Sequence, residues 1–217
     1  MLLMVQALIA AAGIAAILVL SELLWNKYHI RDELARKFVH ISSGLFIAFL
    51  PFWVDYTWIM VLAVGFVIAN IINRYTNYFH AIHGVERKSW GDILFGVGVF
   101  AVAWFQPSPW IFAAAILQVS LADGLAAVGG VTYGKTHGRY YLFGQSKSVI
   151  GSIIFMITSA LIVTLVLFAD SYFADPLSLW PVIIMLPLLL VCIENLAVYG
   201  LDNVLLPLVT LGILSLL

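Results

Sequence analysis

Long apolar runs alternate with short polar interruptions along almost the whole chain. The runs fall near residues 2–25, 38–53, 56–73, 92–106, 109–129, 148–168, 178–199 and 203–217. A helix rises 1.5 Å per residue, so about 20 apolar residues are needed to cross a hydrocarbon core of roughly 30 Å. The pattern predicts seven or eight transmembrane helices. The expected fold is an all-α, polytopic membrane helical bundle in a single domain, 1–217. The first 20 residues carry no charge. A cleaved secretory signal would begin with a positive segment, so residues 2–25 read as a first spanning helix.

Composition sharpens this. The chain is 64% apolar and 10% charged, where a soluble domain carries about 25% charged residues. It therefore reads as a multi-pass integral membrane protein. A net charge of −1 argues against a nucleic-acid partner. Cys192 is the sole cysteine, which excludes an internal disulfide.

The basic residues are segregated. Lys27, Arg31, Arg36 and Lys37 fall in the first loop, Arg74, Arg87 and Lys88 in the third, and Lys135, Arg139 and Lys147 in the fifth; the alternate loops have none. By the positive-inside rule the odd-numbered loops are cytoplasmic and the N-terminus lies outside. Several polar residues then gather at the cytoplasmic face. Arg36, Lys37 and His40 open the second helix and Asp92 the fourth. Asp123 lies in the cytoplasmic half of the fifth, and Lys147 to Ser152 open the sixth. Glu194 sits near the end of the seventh, and Asp202 with Asn203 opens the eighth. Trp53, Trp58, Trp104, Trp110 and Trp180 fall near the opposite interface and suit an aromatic belt.

The densest chemistry lies at 122–152. Asp123, Lys135, Lys147, Ser148 and Ser152 stand there among Gly124, Gly129, Gly130, Gly134 and Gly151. A carboxylate can hold a divalent metal, lysines can hold phosphates, and glycines let backbone N–H groups approach phosphate oxygens. The stretch reads as a nucleotide or phosphate site. Asp123 follows Trp110 by 13 positions, about 20 Å of helix. An ionised acid at that depth calls for a polar cavity, and the glycines beside it suggest a closely packed or broken helix. The competing reading of Asp123 is an acid paired with a buried lysine or hydroxyl. Ser148, Gly151 and Ser152 suit a phosphate cradle at a helix N-terminus; a serine N-cap with small packing residues is the alternative. Lys135 and Lys147 are either phosphate ligands or topology signals. Asp92 and Asp202 are either helix caps or site acids. His40 shares a helix face with Lys37. His80 and His83, three residues apart, are a weak metal signal.

Five spaced motifs, Arg36-Lys37-x-x-His40 with Gly44, Arg87-x-Ser89-Trp90-Gly91-Asp92, Ala122-Asp123-Gly124-x-Ala126, Phe143-Gly144 with Lys147-Ser148-x-x-Gly151-Ser152, and Glu194 followed by Asp202-Asn203 and Pro207, occur here in one order. This set resembles the dolichol kinase, phytol kinase and CTP-dependent diacylglycerol kinase group of membrane lipid-alcohol kinases. Departures from the group's pattern are Ala122 before Asp123, where a Gly-Asp pair is common, and Ile150 where an acid or alanine is common. The resemblance implies CTP as donor, Mg²⁺, and a lipid alcohol from the bilayer as acceptor. On this reading Asp123 holds Mg²⁺ with Glu194 or Asp202. Arg36, Lys37, Lys135, Lys147 and the Ser148–Gly151–Ser152 segment hold phosphates, and His40 or Asp92 takes the hydroxyl proton. A CTP-dependent cytidylyltransferase acting on a lipid phosphate needs the same frame. A transporter with an ion-coupling acid is the third class.

Overall fold

In a computed structural model of the protein, residues 1–28, 32–76, 90–134, 138–170, 173 and 179–217 are described. The order of elements is α1 (Leu2–Tyr28), α2 (Asp32–Ala48), a 3₁₀ turn (Leu50–Phe52), α3 (Tyr56–Thr76), α4 (Gly91–Trp104), α5 (Pro109–Tyr133), β1 (Arg139–Leu142), β2 (Gln145–Ser148), α6 (Val149–Ala169), α7 (Trp180–Leu196) and α8 (Asp202–Leu214). Among the described residues four helices, α1, α3, α5 and α6, are long and apolar enough to cross a membrane, and α4, α7 and α8 are shorter apolar helices. The protein is thus helical and built for a bilayer, with one small hairpin.

The core forms around α5. Its first turn is held by Ser108, whose hydroxyl accepts from the Ile111 N–H at 3.2 Å, with Pro109 at the position where a missing N–H costs nothing. Every residue from Ile111 to Ser120 is buried. Helices α2, α6 and α8 pack around α5, whereas α1 is apolar on all sides and mostly exposed, as a helix facing lipid should be. Close approach of α2 is made by Gly44, where a Cβ would lie 2.1 Å from the Ser120 Cβ.

One end of the bundle is tied by aromatic and polar contacts. The Phe52 and Trp110 rings lie 4.8 Å apart. The Tyr56 hydroxyl donates to the Pro107 carbonyl at 2.6 Å, and the Ser108 hydroxyl donates to Asp170 at the end of α6. The opposite end gathers the start of α2, the end of α3, the starts of α4, α6 and α8, and the ends of α5 and α7.

Three elements differ from the sequence reading. Helix α2 starts at Asp32 rather than near 38, so Arg36 and Lys37 lie within it rather than in a loop. A helix satisfies its own backbone whether or not lipid surrounds it, so hydropathy does not mark its end. Helix α5 does not break at its glycines; it runs to Tyr133 with a π turn at Gln118–Ala122. The segment before α6 is an antiparallel hairpin pairing Leu142 with Gln145 and Arg139 with Ser148. Its turn residues Phe143 and Gly144 have φ +48° and +77°, the left-handed pair that a two-residue turn needs to match strand twist.

Candidate active site

A cavity of about 770 Å³ opens at the end where these helix termini gather. Its lining includes four cations, Arg36, Lys37, Arg139 and Lys147, and four carboxylates, Asp92, Asp123, Glu194 and Asp202. His40, Ser148, Gly151 and Ser152 line it too. Every site residue proposed from the sequence that falls among the described residues therefore borders one space. Lys135 lies outside the described residues, as do Arg87, Ser89, His80 and His83.

Buried charge in this cavity is organised as pairs. The Lys37 ammonium donates to Asp123 Oδ2 at 2.7 Å, and both side chains are about nine-tenths buried. Lys147 forms an ion pair with Glu194 and also donates to the Glu194 backbone carbonyl at 2.8 Å. The buried-lysine alternative for Asp123 is therefore what the geometry contains. The charges of Asp123, Glu194, Asp202, Lys37 and Lys147 also act on one another across the cavity. At the rim Arg74 donates to Asp92 at 3.0 Å, and its guanidinium stacks over the Trp90 ring at 4.3 Å.

His40 is oriented by the π turn. There the Asp123 N–H reaches back five residues to the Gln118 carbonyl, and the Val119 carbonyl lies 2.9 Å from His40 Nε2. A carbonyl can only accept, so Nε2 carries the proton and Nδ1 keeps the lone pair. Phe95 closes one side of the ring, edge-on at 4.9 Å between centroids.

The start of α6 is a cap in this state. Ser148 Oγ accepts from the Gly151 N–H at 3.1 Å. A Cβ at Gly151 would lie 3.0 Å from the Ala126 carbonyl, so the glycine also lets α5 and α6 approach. Ser152 is held by the Tyr140 hydroxyl at 2.8 Å and by Asn195 Nδ2 at 3.2 Å. The one Tyr140 proton goes to Asn195 Oδ1 at 2.5 Å, so Ser152 donates to the Tyr140 oxygen. This triad pins the hairpin to α6 and α7, and with it Lys147.

The acids suit a hard divalent cation by donor type, since all are carboxylate oxygens. Among the described residues no group of three or more such ligands is assembled. A site for Mg²⁺ needs only one or two carboxylates, since substrate phosphates supply the rest. Asp202 borders the same cavity: its Oδ1 accepts from the Asn203 backbone and side-chain nitrogens at 3.1 Å, and no lysine pairs with it among the described residues.

Sequence reasoning treated Arg74 and Arg139 as topology signals only, and gave Asn195 no role. Their chemistry depends on contacts between helices distant in sequence; a polar residue near the end of a span was the one available hint.

No protein-family model matches the chain, and no solved structure matches it. The chain is 27% identical over 205 residues to a phytol kinase from Synechocystis, an alignment covering 92% of this chain and 86% of that protein. This supports a likeness to phytol-kinase-like proteins.

Proposed function

We propose that this protein is a lipid-alcohol kinase that transfers the γ-phosphate of a nucleoside triphosphate, CTP being the expected donor, to the hydroxyl of a long-chain alcohol taken from the bilayer. The observation that carries the reading is one cavity in which lysines, arginines and acids from seven elements meet an apolar wall of Leu18, Val39, Phe66 and Phe95. The phytol kinase similarity points the same way, and phytol is the first acceptor to test. The reading also takes the chain as multi-pass, with the cavity end cytoplasmic. A soluble anionic donor must reach it there, and that is where the basic loops lie.

Phosphoryl transfer asks mainly for alignment and charge neutralisation. Lys147, Arg139 and Arg36 are set to hold phosphates. Asp123 with Asp202 or Glu194 would hold Mg²⁺, which supplies charge neutralisation on the triphosphate. For this the two ion pairs exchange: Lys37 and Lys147 leave their carboxylates for phosphate oxygens. The alcohol oxygen bonds to the γ-phosphorus while the bridge to the β-phosphate breaks, and the nucleoside diphosphate leaves. The hydroxyl proton passes to His40 Nδ1.

The test is purified protein in detergent with labelled CTP or ATP and a panel of isoprenoid alcohols and diacylglycerol. Lipid monophosphate together with nucleoside diphosphate is expected. Pyrophosphate release would identify a nucleotidyl transfer instead, and turnover of neither kind would overturn the proposal.

A further inference from the structure

Among the polar side chains of the cavity, Asn70 takes no part in the ion pairs, the caps or the Tyr140 triad. Asn70 lies near the end of α3, lines the cavity, and is only 4% exposed. Its Nδ2 donates to the Phe66 carbonyl one turn back, at 2.9 Å. Its Oδ1 has no hydrogen-bond partner. The amide cannot be turned round, because the Phe66 carbonyl accepts and would repel an oxygen. A buried acceptor on a residue that lines a polar space is thus left without a partner by the protein itself, closed off in this state so that a small shift of the side chain must uncover it, and buried polar groups are normally satisfied by something.

The surroundings say what kind of group fills it. Phe66, one turn from Asn70, and Phe95 wall both this cavity and a small apolar recess reaching Ile14, Leu50 and Ile59 deeper in the bundle. Leu18 of α1 also faces the cavity, so α1 and α3 both border it, and α1 is the helix most open to lipid. The proposed phosphate-holding residues come instead from the hairpin, the start of α6, and Arg36 and Lys37 of α2. Asn70 therefore stands on the apolar side, where the tail of a bilayer ligand would lie and its head would reach the charges.

We propose that Asn70 Oδ1 accepts the hydrogen bond of the acceptor's hydroxyl, making Asn70 the residue that selects a lipid with a free alcohol over one without. This deepens the kinase reading and rests on it. Hydrogen-bonded to Asn70, the hydroxyl keeps an oxygen lone pair free to meet the γ-phosphorus, and as that bond forms its proton leaves Asn70 Oδ1 for His40 Nδ1. A loose transition state needs that lone pair aligned more than it needs early loss of the proton.

The experiment uses a C20 isoprenoid alcohol and its methyl ether, which has the same tail and no proton to donate. Displacement of a fluorescent lipid from the full-length protein measures both affinities. The parent should prefer the alcohol by about tenfold or more, since a site built around a hydroxyl leaves its own group unpaired with the analogue. Asn70→Leu should abolish the preference and raise the KM for the alcohol by a similar factor, with the KM for CTP unchanged. Asn70→Ser should retain most of the preference. Its hydroxyl can donate to the Phe66 carbonyl, as Ser21, Ser43 and Ser120 do to carbonyls four residues back, and still accept. Equal binding of alcohol and ether by the parent overturns the proposal without any variant. So does a folded Asn70→Leu protein with the parental preference and KM. If lipid phosphate forms while either of these holds, only the role of Asn70 falls; if the parent forms none, the kinase reading falls and takes this one with it.

Discussion

Replacing Lys37 by Met would remove the cation 2.7 Å from Asp123 while keeping most of the side chain's volume. The two side chains are 9% and 11% exposed, so water cannot take the cation's place. Breaking a buried pair from one side costs about 3–5 kcal/mol, because the remaining charge is stranded. Asp123→Asn strands Lys37 in the same way. Each single variant should therefore lose about 3–5 kcal/mol, or about 6–20 °C in melting temperature at roughly 2–4 °C per kcal/mol for a chain of this size. The double variant leaves no stranded charge and should recover to within about 1 kcal/mol of the parent, since replacing both members of a buried pair is often neutral. Thermal unfolding of purified protein in one detergent measures the cycle. Lipid-phosphate formation is read on the same samples at a temperature where all four are folded. It should be lost in all three variants, including the restabilised one, because phosphate and metal handling need the charges that packing does not. If the double variant is as unstable as the sum of the singles, the pair does not act as a pair. If it is stable and active, the pair is a strut and the site lies elsewhere.

Other outcomes follow from the same geometry. Lys147→Ala should weaken CTP binding by about tenfold to a hundredfold, the worth of a charge-assisted contact of roughly 1.5–3 kcal/mol, and equilibrium binding of labelled CTP checks it. Parental affinity would reduce Lys147 to a partner of Glu194. Tyr140→Phe removes the hydroxyl shared with Ser152 and Asn195; with Lys147 less well placed, the KM for CTP should rise several-fold while the KM for the alcohol holds. In a Cys192→Ser background, cysteine at Arg139 should be labelled only after the membrane is opened, and cysteine at Asp55 from outside intact cells. The reverse pattern would put the cavity on the face without nucleotide.

The gathering of polar residues at one end was legible in the sequence because charge inside an apolar chain is costly and therefore conspicuous. Asp123, Glu194 and Lys147 stand out against runs of Leu, Val and Ile, and alternating helix direction brings them together. What each holds was not legible. A carboxylate suited to a metal looks the same in sequence as one already on a lysine, and only the approach of α2 to α5 places Lys37 on Asp123. Ser148 likewise reads as both cap and cradle until its contact with Gly151 is seen. Asn70 gave no signal, since an amide near the end of a span is ordinary at an interface. The hairpin at 139–148 is too short to carry a period, and its Phe143-Gly144 turn lacks the usual asparagine. The start of α2 was missed because its first turns are polar, and hydropathy counts polarity as loop.

The π turn at Gln118–Ala122 has a further consequence, in the phase of the helix. Each residue advances an α-helix by about 100° and 1.5 Å. A π turn accommodates one residue beyond the α count, so the half of α5 after it is rotated by one such step relative to the half before it. The stretch Ile111–Leu117 is apolar and buried on all sides and can trade one apolar neighbour for another. Asp123 does not, for it has one neighbour to reach. Deleting a single residue from 118–122 would restore an unbroken α-helix and leave the apolar composition of the span almost untouched. Yet it would swing Asp123 by about 100° away from Lys37 and remove the offset that leaves the Val119 carbonyl to His40. The span would keep its apolar character, with its chemical half aimed at the wrong neighbour. Length, and not only composition, is what this span encodes.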